Sequence, residues 1–188
     1  MIRSEKAVKV MESAIFIFGE KGFDNTSTQE IVKHAGISNA TLFKHFNTKE
    51  NLIRECYLAT KRNLVSVIKE GIDPEDSFAG LTRTIWLNVY EWALQFPNKY
   101  HFVQNVSRSR FRDPEIEAMV NAEMMFYRVA FKAAKDKGEV LAIPFELVEG
   151  AIVTMLDLAV SYKVSESEIS EKQVYEMFYR GVLAPLKQ

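Results

Sequence analysis

Residues 26–50 read TSTQEIVKHAGISNATLFKHFNTKE, and no other stretch constrains the fold as much. Two short helical segments meet at Gly36, each opened by a hydroxyl residue. Ser27 and Glu30 form an S-x-x-E capping box, so a helix starts there, with Ile31, Val32 and Ala35 as its inward face. Gly36 ends it, because glycine takes the left-handed backbone needed just past a helix end, and Ile37 plugs the turn against the core. Ser38 caps the second segment. There Leu42 and Phe46 lie four apart and share the inward face, which leaves Asn39, Ala40, Thr41, Phe43 and Lys44 outward or sideways. A helix-turn-helix with small and hydrogen-bonding residues on its outer face suits a DNA major groove.

The rest of the chain keeps a helical period. A first helix runs from about Arg3 to Phe18 on the stripe Ala7, Val8, Met11, Ala14, Ile15 and Phe18, and Gly19 and Gly22 end it. Thr48 opens a longer helix, Lys49 to Lys69, with Leu52, Cys56, Leu64 and Ile68 along its inner side. At about 1.5 Å per residue it spans about 30 Å, enough to bridge two domains. Gly71 to Pro74 breaks the pattern and marks a boundary. Helices follow over Ser77–Phe96, Asn98–Arg108, Pro114–Lys137, Pro144–Tyr162 and Glu171–Ala184, punctuated by Pro97, Pro114, Pro144 and Pro185. No strand alternation, repeat or low-complexity segment competes. The expected fold is all-α: an N-terminal three-helix domain over 1–48, a bridging helix over 49–70 and a larger helical domain over 71–188.

With 188 residues, 47% of them hydrophobic, the chain buries a sizeable core. It has no basic-then-apolar N-terminal signal, and its longest apolar stretch, Ala151 to Val160, is interrupted by Asp157 and too short to span a bilayer. A cytoplasmic protein without a membrane partner is expected. The lone Cys56, on an apolar helix face, reads as a small core residue. Net charge is −1, which at first argues against nucleic acid. Up to Lys49, however, Arg3, Lys6, Lys9, Lys21, Lys33, Lys44 and Lys49 outnumber Glu5, Glu12, Glu20, Asp24 and Glu30. Cations placed at the phosphate backbone matter more than the overall balance.

The order F-x-x-T-S-x-x-x-I-V-x-x-A-G-I-S-x-A-T-L-F-x-H-F-x-T-K-E-x-L, from Phe23 to Leu52, resembles the N-terminal domain of the tetracycline-repressor (TetR) family of bacterial one-component regulators. The resemblance covers about the first third of the chain. It implies a homodimer of about nine helices per subunit, with an N-terminal DNA domain and a C-terminal domain that binds a small ligand and dimerises. Ligand binding would swing the bridging helix and move the two reading heads out of register, and repression is the family default. Two positions depart from the usual pattern: Phe43 stands where an aromatic hydroxyl touches a phosphate, and Asn39 where lysine or arginine is frequent.

In the reading head, Asn39 and Thr41 are the candidates for base edges, since an amide pairs with adenine and a threonine methyl touches thymine. Lys44 fits a phosphate better than a guanine. Thr26, Thr28, His45 and Lys49 are candidates for positioning on the backbone, and the amides at the Ser27 and Thr48 helix starts add partial positive charge. The expected DNA-binding set is thus Thr26, Ser27, Thr28, Ser38, Asn39, Ala40, Thr41, Phe43, Lys44, His45 and Lys49. A dimer places its two reading helices about 34–36 Å apart or a multiple of that, so a palindromic operator is expected.

Past residue 71 the chain is rich in aromatics and methionine, most of which pack a bundle. Trp86 and Tyr90 share a helix face, and Phe102, Phe126 and Met155 are candidates to converge with them on an apolar pocket for a hydrophobic or aromatic effector. Arg108, Arg110 and Arg112 read as a solvated turn rather than an anion anchor. The stripes Phe145, Val148, Ile152, Leu156 and Ala159, then Val174, Phe178, Val182 and Leu186, either pack internally or dimerise. The resemblance favours a four-helix interface made by two such helices per subunit. His34, His45 and His101 are not spaced as metal ligands, and no nucleophile elbow or phosphate loop appears, so neither cofactor nor catalysis is expected. The competing reading is an all-helical small-molecule carrier or adaptor in which the helix-turn-helix is structural.

Overall fold

Apolar side chains at helical spacing account for the elements the chain builds. The computed structural model describes residues 4–73, 75–164 and 170–184. Arg3, Pro74 and Pro185, which enter the reading of helix ends, and Leu186 of the last apolar stripe lie outside them. The described helices are α1 (Glu5–Lys21), α2 (Thr28–Ala35), α3 (Asn39–His45), α4 (Lys49–Ile68), α5 (Phe78–Gln95), α6 (Pro97–Ser107), α7 (Pro114–Glu123), α8 (Met125–Asp136), α9 (Phe145–Val164) and α10 (Glu171–Phe178). A π-helical turn, Tyr179–Leu183, extends α10. Among the described residues there is no strand, and the all-α expectation holds.

The helices differ from the sequence reading most at the end of α1 and within Pro114–Lys137. α1 continues through Gly19 and ends at Gly22, whose φ of 75° is the left-handed stop. The expected single helix over Pro114–Lys137 is two helices, broken at Met124 (φ −94°, ψ 7°), whose carbonyl accepts the Tyr127 amide at 3.0 Å. The break separates stripes with different destinations: Ile116 is buried in the first compact unit, while Tyr127, Phe131 and Ala134 are buried in the second.

The two compact units interleave along the chain. The first comprises residues 1–63 and 96–120, the second residues 64–95 and 121–188. In the first unit α1 packs against α2 and α6. Phe18 stacks on Phe102 with ring centroids 6.2 Å apart, Phe23 lies 5.3 Å from Phe18, and Phe111 meets Phe23 edge-on at 5.1 Å. Asn105 donates its amide to the Phe18 carbonyl at 3.4 Å. Leu52, Ile53, Cys56 and Tyr57 of α4 close this core.

In the second unit α5 packs against α8, α9 and α10. Trp86 stacks on Phe178 at 5.5 Å and meets Tyr175 edge-on at 5.6 Å. Phe78 stacks on Tyr127 at 5.0 Å, and the Tyr127 hydroxyl bonds Thr82 Oγ1 at 2.8 Å. α9 contributes Val148, Leu156, Ala159 and Val160 to the interior. The buried Trp86 indole N–H has no hydrogen-bond partner among the described residues.

Gly19 marks how closely α6 approaches α1. Glycine inside a helix ordinarily costs about 1 kcal/mol relative to alanine, so replacing it should stabilise. Here a Cβ would lie 2.8 Å from the carbonyl oxygen of Asn98, and a backbone oxygen cannot swing aside. Gly19→Ala is therefore expected to lower stability by about 1–3 kcal/mol. Urea titration checks this, and a raised midpoint would contradict the close approach.

Candidate nucleic-acid interface

The turn between α2 and α3 is built as its residues dictate. Ser27 caps α2 by accepting the Glu30 amide at 3.1 Å. Gly36, at φ 65° and ψ 37°, takes the left-handed conformation, and the Ile37 amide reaches back to the Val32 carbonyl at 3.0 Å. Ser38 caps α3 by accepting the Thr41 amide at 3.2 Å. Leu42 and Phe46 are buried and fix the back of α3 in the core. Asn39, Ala40, Phe43 and Lys44 are exposed and Thr41 is half-buried, so one contiguous face looks out. Phe43 is 45% exposed, an uncommon surface residue on so short a helix. The Thr41 hydroxyl lies 3.0 Å from Ser38 Oγ, which engages its oxygen and leaves its methyl group for an apolar contact.

The flanking candidates divide. Ser27 and Ser38 are exposed with their oxygens engaged as caps, and Thr28 is half-buried at the start of α2. His45 is half-buried, with Nε2 3.3 Å from Ser4 Oγ, which ties the end of α3 to the start of α1. Two candidates are corrected. Thr26 is buried, and its hydroxyl donates to the Gly22 carbonyl at 2.7 Å, so it closes the α1–α2 turn instead of facing solvent. Lys49 is half-buried with its ammonium on the Phe23 carbonyl at 2.5 Å and 5.9 Å from the Phe18 ring centroid, which makes it a brace within the first unit. Neither position is obvious from the motif, because both residues stand beside exposed ones.

Sequence reasoning missed a polar cluster between α4 and the start of α7, within the first unit. Arg54 of α4 donates from Nε to Asp113 at 2.6 Å and from Nη2 to Glu115 at 2.8 Å. One α-helical turn on, the buried Tyr57 hydroxyl donates to Glu117 and lies 3.2 Å from Ser107 Oγ, while Lys61 and Arg112 approach Glu117 at 3.6 and 3.7 Å. Burial, with the hydrogen bond to Glu117, pushes the Tyr57 phenol well up, and burial pulls the Lys61 ammonium down against the attraction of Glu117. Asp113 caps α7 by accepting the Glu115 and Ile116 amides at 2.9 and 3.1 Å. Burial would raise its carboxyl, yet the Ile116 amide and the Arg54 guanidinium outweigh it and hold the carboxyl below the usual range. Arg54, Tyr57 and Lys61 recur at three- and four-residue spacing on α4, a polar stripe that the apolar reading of that helix passed over. Arg110 and Arg112 are exposed and pair with Asp24 and Glu117, as a solvated turn does.

The candidate ligand residues do not form one set. Phe102 is fully buried in the first unit against Phe18 and Phe23, where close packing leaves it no open face. Trp86 and Tyr90 are buried in the second unit and Met155 is half-buried there. Only Phe126 of the five lines the open groove described in that unit, a cavity of about 440 Å³ bounded by Lys69, Ile72, Leu81, Phe126, Val129, Ala130 and Ala133. The interface candidates also turn inward. Val148, Leu156, Val174 and Phe178 are buried, Phe145 meets Tyr127 edge-on and Phe131 at a tilt, and Ile152 and Val182 are half-buried. The opposite face of α9 is the open one: Leu147, Gly150, Thr154, Leu158 and Tyr162 are exposed, with Leu147 at 60%.

Among the described residues no cluster of three or more His, Cys, Asp or Glu is placed to hold a metal, and no helix is long and apolar enough to cross a membrane.

Residues 10–56 match the profile of a family described as bacterial regulatory proteins, tetR family. The chain is 26% identical to UidR, an HTH-type transcriptional regulator of Escherichia coli K12, over 70% of this chain and 67% of that protein. It is also 26% identical to IcaR of Staphylococcus epidermidis, a negative transcriptional regulator of a biofilm operon, over 44% of this chain. The alignments span 45%, 25% and 31% of the length of IcaR and of two Bacillus subtilis regulators, YerO and YuxN. A TetR family transcription regulator from Marinobacter aquaeolei VT8 shares the fold with a TM-score of 0.84 at 20% identity, over 95% of this chain and 96% of that one. These relatives are described as transcription regulators.

The Asp113 geometry sets a pH dependence. A carboxyl whose folded pKa is depressed contributes stability that is present above its unfolded value of about 3.9 and is lost as pH falls through the folded value. Asp113→Asn removes that contribution. The variant is expected to be less stable than the parent at pH 6, with the gap closing below about pH 4. Urea midpoints at pH 6 and pH 3 measure this, and a gap of constant size would argue against an ionised Asp113 held by Arg54.

Proposed function

We propose, since this chain belongs through its N-terminal domain to the tetR family of bacterial regulatory proteins, that it is a cytoplasmic DNA-binding transcriptional regulator. It binds a palindromic operator as a homodimer and is released by a small effector. The observation that carries the reading is α3. Its back is locked by Leu42 and Phe46 while Asn39, Ala40, Phe43 and Lys44 form an open face. Asn39 takes the adenine edge and the Thr41 methyl takes thymine, with Lys44 on phosphate. Thr28 and the capped amides of α2 are suited to backbone contact. UidR and IcaR are described as transcriptional regulators, IcaR as a negative one, which supports repression here. The effector acts in the second unit. α4 and α7 each belong partly to both units, so they are the segments through which binding there bears on the reading head.

The dimer is proposed to use the outer face of α9. Leu147, Gly150, Ala151, Thr154, Leu158 and Tyr162 fall on one side of that helix, while Glu146, Glu149 and Asp157 fall elsewhere around it. An exposed helix face without charge is what an obligate interface presents before its partner arrives. Met177 of α10 is 60% exposed and adds to the apolar area that a two-helix-per-subunit interface would cover.

Selection of bound sequences from a random DNA pool tests the regulator reading. The full chain is expected to enrich an inverted repeat, Asn39→Ala to relax one position of each half-site, and Lys44→Ala to weaken binding evenly across sequences. No enrichment at low salt would favour the carrier or adaptor instead. For the dimer, Leu158→Glu is expected to shift the sedimentation profile from dimer to monomer while the helical signal persists. A Leu158→Glu protein that remains dimeric would move the interface elsewhere.

A further inference from the structure

The groove beside α8 is lined by apolar side chains and one charged residue, Lys69. Phe126, Val129, Ala130 and Ala133 recur at the spacing that aligns side chains on one helix face, and α8 buries Tyr127, Phe131 and Ala134 on another. A helix of a compact unit needs only one apolar face to join its core, so the second is available for something else. Lys69 is the single ionisable residue of the lining. At about 440 Å³ the groove falls within the range of about 300–1,000 Å³ usual for small-molecule clefts.

The charge at the groove is loosely held. Lys69 pairs with Glu123, and the two side chains are 38% and 51% exposed. A pair that open to water holds weakly, and Glu123 is readily rehydrated when another carboxylate takes its place. A ligand matched to this lining needs an apolar body and one anionic end. A neutral chain would satisfy the wall but leave Lys69 to Glu123, a cation would be repelled by Lys69, and a second negative charge would be set against apolar surface without a partner.

We propose that this groove binds an apolar monocarboxylate, its carboxylate on Lys69 in place of Glu123 and its apolar body along Phe126, Val129 and Ala130. This rests on the reading of the chain as an effector-responsive regulator and names the effector's chemical class. Binding releases Glu123, which closes α7, the same helix whose Glu117 holds Tyr57 in the first unit. The acid thereby frees the last residue of a helix whose first turn is bonded to Tyr57 of α4.

The test is calorimetry on the full chain without DNA, using decanoate and decyltrimethylammonium below their micelle concentrations and decan-1-ol below its solubility limit. Decanoate is expected to bind about tenfold or more tightly than decanol, the scale of a charge-assisted hydrogen bond, and the cation not to bind. Lys69→Gln, an exposed change, should bring decanoate to the level of decanol and leave decanol unchanged. Ala130→Trp, or Val129→Trp if the first variant fails to fold, should abolish both by filling the groove. No binding of decanoate, equal binding of acid and alcohol, indifference of their ratio to Lys69→Gln, or binding that survives the filled groove would each overturn the proposal. Decanoate binding without operator enrichment would remove the regulator reading alone, and an enriched operator without decanoate binding would remove the groove alone.

Discussion

A helix of seven residues does not persist by itself, because nucleation costs more than so few hydrogen bonds return. α3 exists because Leu42 and Phe46 are buried beneath it and Ser38 satisfies its first turn. Each such buried side chain contributes about 1.5–3 kcal/mol, so the reading face is as firm as the core behind it. That dependence runs back through the first unit. The Gly36 turn sets the angle of α3 against α2, Phe18 and Phe23 hold the unit's centre, and α6 comes close enough to α1 that only glycine fits at position 19.

Polar groups do different work in the two units. In the first, Tyr57 and Lys61 are largely buried and converge on Glu117, while Arg54 grips Asp113. Removing one member of such a cluster leaves another charged and desolvated, a loss of about 3–5 kcal/mol where burial is complete. The arrangement therefore tolerates little rearrangement. In the second unit the interior is aromatic and aliphatic, and its described ion pairs, such as Arg128 with Glu146 and Glu149, lie nearer the surface. The first unit thus leans on desolvated polar contacts that depend on one another, and the second on apolar packing.

What was legible in the sequence was local. The caps at Ser27 and Ser38, the left-handed Gly36 and the inward pair Leu42 and Phe46 depend on residues within one or two turns, and the structure places them as expected. What failed to show was direction and destination. α9 is apolar almost all round, so its stripe through Val148 and Leu156 and its opposite stripe through Leu147 and Leu158 look alike until one is buried. Phe102 looked like its aromatic neighbours in the chain, but a bundle sorts side chains by unit and not by sequence distance. Thr26 and Lys49 stood among exposed motif residues, and only the carbonyls of Gly22 and Phe23 show where their donors go. The outer stripe of α8 was visible as a spacing, yet an apolar stripe is read as core unless the same helix already has one.

The first unit is not a continuous piece of chain: residues 1–63 complete their core only with residues 96–120. During synthesis at about 5–20 residues per second, the helix-turn-helix emerges seconds before Phe102, Val106 and Ile116 exist to cover it. Throughout that interval Phe18 and Phe23 lack their later partners and are open to chaperones or to other nascent chains. The reading head is thus the first part of the protein to be begun, yet a ribosome halted between residues 63 and 96 carries a head that still lacks part of its core.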